Sequence, residues 1–253
     1  MDNKAQPLVS VITPTYNRAT QLRECLANLS HQTYKNFEVC IVNDGGESVA
    51  KLVEEFGTLK LRLFEFASNN GQVKCRNKAL ELARGELIAF CDDDDLFLPN
   101  HIYDLVKNMS HYDLAYSDVE ILAEDNKNSL IERLLFSFSY DAKLFARTNF
   151  IISSSAIYKR SLHDMLGNFD EEARDYWDWD WFLRVSRVGN IVHVPEVTVI
   201  YRFNLSGGNL SAHPETYVDH LEYLCRKHHL GKLPSTNFYF MAKHGLHKLG
   251  ILP

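Results

Sequence analysis

The chain has 253 residues, 45% of them hydrophobic and 24% charged, with a net charge of -6. That length fits one large domain or a domain with an appendage, and the composition fits a soluble globular protein. The acidic balance argues against a broad, non-specific nucleic-acid surface, and no apolar run approaches the ~20 residues that a membrane-spanning helix needs. Cys25, Cys40, Cys75, Cys91 and Cys225 are scattered and never form a CxxC pair. They read as buried reduced thiols, which fits a reducing cytosol. Met1 to Pro7 is polar, so no signal peptide is expected before the first strand.

Leu8 to Thr13 is short, β-branched and apolar, and Pro14 stops it; this is a buried strand. Ala19 to Ser30 carries Leu22, Cys25, Leu26 and Leu29 at the spacing of one helical face. Phe37 to Val42 is a second strand, ending at Asn43-Asp44-Gly45-Gly46. Ser48 to Glu55 is a short helix and Leu59 to Phe66 a third strand. Val73 to Ala83 is a helix closed by Arg84-Gly85, with Gly at the C′ position. Glu86 to Cys91 is a fourth strand. Such alternation implies parallel strands with crossover helices in an open α/β sheet. Ligands of such sheets bind beyond the carboxyl ends of the strands. Here those ends are Pro14 to Arg18, Asn43 to Gly45, Ser68 to Gly71 and Asp92 to Asp95, all polar, flexible or acidic.

The last of these ends holds four consecutive aspartates clamped between the apolar runs Leu87 to Cys91 and Leu96 to Leu98. Like charges this close raise one another's pKa values. A bound divalent cation is the simplest compensation, because hard cations take oxygen ligands. The alternative is a solvated turn in which Asp95 or Asn100 caps the next helix. Common nucleotide loops are missing: no GxGxxG follows the first strand and no GxxxxGK[ST] occurs.

Further on, Pro99 to Met109 reads as a helix with Pro near its start, and Tyr112 to Ser117 as a strand. Leu122 to Ser139 is poorly periodic, a loop or hairpin. Asp175 to Arg184 alternates acids and tryptophans, yet its continuation fits a helix with Trp181, Val185 and Val188 on one face. Asp178 and Asp180 then fall in the first turn, where the helix dipole favours them. Ile191 to Val194 and Val197 to Phe203 read as a β pair around Pro195. The tail from Pro214 to Pro253 is helical in pattern. Its Phe238, Tyr239, Phe240, Lys243 and Lys248 suit either an interfacial membrane patch or packing on the main domain. His228-His229 and His244/His247 read as surface histidines rather than a metal site.

With these pieces in order, the chain resembles the family 2 glycosyltransferases of GT-A fold, from about Pro7 to about Ser211. The resemblance rests on Ser10 to Arg18, Val42 to Gly45, Asn70 to Asn77 and Phe90 to Asp95. It implies an α/β fold with an open mixed sheet, mostly parallel, flanked by helices and followed by a C-terminal helical extension. The catalytic domain would span 1–213, with a nucleotide-binding half at 7–98 and an acceptor half at 99–213, and the extension 214–253. Pro14, Thr15, Tyr16 and Arg18 would line the nucleotide pocket. Asp44 would read the base or ribose, Gly71 would allow close backbone approach, and Arg76, more firmly than Lys74, would face the donor. Asp92-x-Asp94 matches the family's DxD pattern. Asp94 would then be the chief ligand of Mn2+ or Mg2+, with Asp92 and Asp93 supporting metal, ribose or sugar, and Asp95 capping or orienting the following helix.

On the acceptor side, Phe150 to Tyr158 resembles a family strand and Gly167 to Asp170 a family turn. Asp178 matches the catalytic base of the family's Glu-Asp-x-Asp, with Asp180 as fallback. Trp177 stands where Glu is usual, an aromatic face for a sugar ring in place of a carboxylate. Aromatic walls would also desolvate Asp178 and raise its pKa. Phe203 and Asn204 stand where some members have a third metal ligand, a His; the nearest His is His213. Gly207-Gly208 would let a loop close over the donor. The resemblance implies inverting, metal-dependent transfer from a nucleotide-sugar, UDP favoured, to a glycan or lipid-linked acceptor. The setting would be the cytoplasm or the inner face of the membrane. The rival readings are a sugar nucleotidyltransferase and a non-catalytic nucleotide- or glycan-binding relative.

Overall fold

The computed structural model describes residues 6–125, 127, 129–205 and 217–251. The first half alternates as β1 (Val9–Thr15), α1 (Ala19–Ser30), β2 (Phe37–Asn43), α2 (Ala50–Glu54), β3 (Leu61–Glu65), α3 (Gln72–Leu82) and β4 (Leu87–Phe90). Next come β5 (Leu96–Phe97), α4 (His101–Val106), the hairpin of β6 (Leu114–Glu124) and β7 (Leu130–Phe136), and α5 (Ala142–Phe145). A 3-10 turn at Ser153–Ser155 leads into β8 (Ala156–Lys159), α6 (Leu162–Leu166) and a second 3-10 segment at Glu171–Tyr176. Then follow α7 (Trp177–Val185), β9 (Ile191–Asn204), α8 (Val218–His228) and α9 (Phe238–Lys248).

The strands form one open sheet of order β3-β2-β1-β4-β8-β6-β9-β5, with β7 paired to β6. β1/β2, β1/β4, β2/β3 and β6/β9 are parallel, whereas β4/β8, β5/β9, β6/β7 and β6/β8 are antiparallel. The expected open mixed sheet is present, but the parallel majority is confined to the first half. Pro14 lies inside β1 and does not end it. β4 pairs with β1 only as far as Ile12↔Phe90, so the missing proline N–H costs no ladder bond on that side.

The segment around Pro195 is likewise one continuous strand, β9, lying parallel to β6 rather than folding back on itself. Register shifts at Ser117/Asp118 and Asp118/Val119 absorb the proline as a bulge. Phe150 to Tyr158 becomes extended chain and a 3-10 turn before its short strand. Within Leu122 to Ser139, Leu130–Phe136 forms the second strand of the hairpin.

Helix α1 buries Leu22, Cys25, Leu26 and Leu29 completely; each leucine contributes roughly 1.5–3 kcal/mol. One contiguous apolar core runs from Val9 to Ile251 and includes the inner faces of α8 and α9. All five cysteines are buried and free. No helix among the described residues is long and apolar enough to cross a membrane.

Helix α9 is docked rather than free. Phe238 packs edge-on against Phe136, Tyr239 stacks on Phe203, and Lys243 reaches Glu132 on the hairpin. Of the residues considered for a membrane patch, Phe238, Tyr239 and Lys243 are engaged by the domain surface, while Phe240 and Lys248 stay exposed.

Candidate active site

The carboxyl ends of β1, β2 and β4 open into a cleft of about 950 Å3. Pro14, Thr15, Tyr16, Arg18, Asp44, Gly71, Arg76 and all four aspartates line it together with Trp177 and Asp178, and residues of the C-terminal segment complete the wall. Of the site residues expected from sequence, only Asp180 is not brought to the cleft.

The acidic run is compensated by side chains. Arg18 Nη1 donates to Asp93 Oδ1 at 3.0 Å and to Asp94 Oδ2 at 2.8 Å. Thr15 Oγ1 donates to Asp93 Oδ2 at 2.7 Å. Arg76 Nη2 donates to Asp92 Oδ2 at 3.1 Å and lies 2.8 Å from Oδ1 without hydrogen-bond alignment. Burial first, then the neighbouring Asp94, pushes the Asp93 carboxyl up to about 6.

Asp95 is placed differently from its expected capping role. It is buried, accepts a hydrogen bond from Ser154 Oγ, and makes no capping bond to α4, whose Asn100 side chain accepts from Thr33 Oγ1 instead of capping. Burial, with Asp94 and Asp92 nearby, holds its carboxyl well above the ordinary range. Two arginines thus offset part of the charge of the acidic run.

A divalent cation still fits this donor set. The oxygens of Asp92 and Asp94 are hard ligands; Asp92 Oδ1 is buried with no hydrogen-bond partner, and Asp94 is partly open to the cleft. Among the described residues no three His, Cys, Asp or Glu side chains converge as a metal cluster. Phe203 and Asn204 end β9, while His213 and Gly207-Gly208 lie outside the described residues.

Asp44 shapes the donor end through the backbone. Its two carboxylate oxygens accept from the N–H groups of Asn70, at 2.7 Å, and Gly71, at 2.9 Å. Carboxylate lone pairs remain for a nucleotide. Gly71 has φ +93°, and a Cβ there would meet nothing within 4 Å. The positive φ before α3 is a conformation that calls for glycine.

Trp177 is 3% exposed and wedged among Phe90 and Phe169, and the Arg76 guanidinium covers its ring at 4.2 Å. The indole therefore holds an arginine rather than offering a bare face to a sugar. Arg76 Nε and Nη1 are buried with no partner.

Asp178, on the first turn of α7, accepts from Asn149 Nδ2 at 3.1 Å and from the N–H of Trp179 at 2.7 Å. Burial outweighs these bonds and the nearby Arg76 charge, and its carboxyl is pushed up to about 7. A carboxyl poised there is matched to proton abstraction near neutral pH.

Asp180 faces the other way and is completely buried. It lies 2.7 Å from His228 Nε2, 2.6 Å from Lys227 Nζ and 2.9 Å from Arg184 Nη2. Burial alone would raise its carboxyl; the bonds from His228 and Lys227 and the charge of Arg184 prevail and hold it at about 2. It clamps α8 onto α7 and is not available to an acceptor.

Three contributors escape the sequence motifs. Asn149 orients Asp178 from 29 residues away, and no local pattern announces it. Ser154 holds Asp95. The wall at Tyr217, His220, Thr236 and Asn237 comes from the tail; there Pro234-Ser235-Thr236-Asn237 carries a readable helix-capping signal, and Asn237 does cap α9.

An open mixed sheet with an acidic run at one strand end and a poised carboxyl across the same cleft defines an α/β protein of the nucleotide-sugar transferase class. The structure of S. aureus TarS 1-349 in complex with UDP-GlcNAc matches with a TM-score of 0.65 at 21% identity, covering 96% of this chain and 70% of that one. Mannosyltransferase PcManGT from Pyrobaculum calidifontis, in complex with GDP-Man and Mn2+, matches with a TM-score of 0.65 at 21% identity, covering 98% and 70%. At these identities the likeness shows the fold, which is of GT-A type. "Uncharacterized glycosyltransferase YwdF" of Bacillus subtilis is 37% identical over 237 residues, 91% of this chain and 87% of that protein. The model of Glycosyl transferase family 2 matches residues 10–167, and the chain belongs to that family of glycosyltransferases. Asp178 lies beyond the matched residues.

Proposed function

We propose that this glycosyltransferase is inverting and metal-dependent, with Asp178 as the base that activates an acceptor hydroxyl. The observation that carries the reading is the placement of Asp178, buried and held by Asn149 and the Trp179 N–H in the same cleft as the acidic run. Residues 7–98 form the donor half, with residues 99–213 and the 214–253 extension on the acceptor side. Tyr16 and the loop held by Asp44 receive the nucleotide, a UDP-sugar first. Arg18 and Arg76 set positive charge beside the diphosphate. Asp94 and Asp92 would hold Mn2+ or Mg2+, which when bound supplies further positive charge against the leaving group.

Asp178 takes the proton of the acceptor hydroxyl. The oxygen forms a bond to the anomeric carbon from the face opposite the diphosphate, and the bond from that carbon to the phosphate oxygen breaks. Attack from that face inverts the configuration. The acceptor is a glycan or lipid-linked glycan, and the reading places the work in the cytoplasm.

The test is a thermal-shift screen of UDP-, GDP- and dTDP-sugars with Mn2+, followed by transfer assays. Asp178→Asn should bind the donor and fail to transfer. Normal transfer by that variant removes the base assignment. Pyrophosphate formation from a nucleoside triphosphate would instead make the protein a nucleotidyltransferase, and donor binding without hydrolysis or transfer would make it a binding relative.

A further inference from the structure

We infer that the C-terminal segment builds the acceptor subsite, through Thr236 and Asn237, and that this subsite takes the ring of a neutral, hydroxyl-rich pyranoside. The inference deepens the transfer reading and rests on it.

The base fixes where the acceptor must lie. Asn149 holds Asp178, and its chain neighbour Thr148 touches Met241 Sδ on α9 at 3.1 Å. Met241 lies four residues beyond Asn237, the cap of that helix. A hydroxyl that reaches Asp178 from the side away from the acidic run therefore lies against residues 234–241, and Pro234, Thr236, Asn237, Phe238 and Met241 all border the cleft.

The chemistry of this wall is that of sugar recognition. Thr236 Oγ1 and Asn237 Nδ2 are buried without a partner among the described residues, a state that buried polar groups rarely keep. Asn237 is 5% exposed, and its Oδ1 is already used on the N–H of Phe240 at 2.8 Å, so its amide donor is the unspent half. Tyr176, Tyr217 and Phe238 border the same cleft, offering aromatic faces to ring C–H groups while a few fixed polar groups choose the hydroxyls. An acyl chain would leave both orphaned groups unmatched.

The wall is anchored independently of the donor end. His220 Nδ1 lies 2.7 Å from Asp175 Oδ2, Tyr176 Oη lies 3.3 Å from Ser235 Oγ, and the buried Asp180 cluster ties α8 to α7. Acceptor binding need only shift the 234–237 segment enough to turn Thr236 Oγ1 and Asn237 Nδ2 onto ring hydroxyls.

Two substitutions separate recognition from folding. Thr236→Val keeps shape and removes the hydroxyl. Asn237→Asp keeps an oxygen for the Phe240 N–H and removes the amide donor. The probes are the methyl glycosides of glucose, galactose, mannose and N-acetylglucosamine, followed by saturation-transfer NMR in the presence of UDP or GDP. The wild type should bind at least one glycoside, and each variant should weaken that binding about fivefold or more, with melting temperature and nucleotide binding unchanged. Equal glycoside binding by both variants overturns the proposal. So does a wild type that binds nucleotide and no glycoside, or binds decanol in place of a glycoside. A wild type that binds no nucleotide at all refutes the transfer reading and this inference with it.

Discussion

Asp178→Asn should stabilise the protein at alkaline pH while it removes transfer. The buried carboxyl ionises at about 7 instead of the ordinary 3.8. Between those values the folded chain holds a proton that the unfolded chain has released. Stability therefore falls as pH rises through this window and levels off above about pH 7. The full difference is about 4 kcal/mol. Asparagine is neutral throughout and escapes it, but presents only one oxygen to the two donors, Trp179 N–H and Asn149 Nδ2. The lost bond costs about 1 kcal/mol. The variant should be slightly less stable than wild type near pH 4, cross it near pH 5, and gain roughly 2–3 kcal/mol by pH 8. Urea unfolding of both proteins across this range measures the difference, in which the raised carboxyls of Asp93 and Asp95 cancel because both proteins carry them. An offset independent of pH would mean that Asp178 ionises normally in the fold, and the argument for its role as a base would fall.

Further outcomes follow from the same geometry. The turnover number should climb with pH through about 7, as Asp178 loses its proton and becomes a base, and a profile flat from pH 5 to 9 contradicts this. Arg18→Gln frees Asp93 and Asp94 from their guanidinium; calorimetry with Mn2+ alone should show binding roughly fivefold tighter than wild type, the partial exposure of the pair keeping the effect modest. Equal or weaker Mn2+ binding would show that Arg18 and the cation do not compete. Asp180→Ala leaves Lys227, His228 and Arg184 without their common carboxylate and should cost about 3–5 kcal/mol in urea unfolding; a change under about 1 kcal/mol would mean that the cluster is not a clamp.

The sequence made local elements readable and long-range partners invisible. Helix α1 falls on the residues its apolar spacing marks, Ala19–Ser30, because that face is written into the segment itself. The strand ends of the first half point at the cleft for the same reason. What misled was chemistry supplied from afar. The arginines that hold the acidic run went unread because Arg18, 76 residues from Asp94, and Arg76, 16 from Asp92, give no local sign of pairing with it. Asp180 resembled an acceptor-side acid because Lys227 and His228 arrive only with α8. Trp177 suggested a sugar platform because the arginine that covers it comes from α3. Pro195 looked like a break between two strands, and only the bulged register with β6 shows one strand running through it.

The antiparallel seam between β4 and β8 bears on how the chain is made. Leu87 meets Lys159 across that seam, so β4 has no partner on its outer side until a stretch far down the chain has been synthesised. Residues 6–98 contain a complete parallel sheet with its helices, yet end it in a bare, wholly apolar edge of Leu87-Ile88-Ala89-Phe90. Such an edge invites pairing with other chains, and non-local strand pairing is slow to arrive. A fragment cut after the acidic run should therefore aggregate, and a nascent chain must pass Lys159 before its first half is sealed.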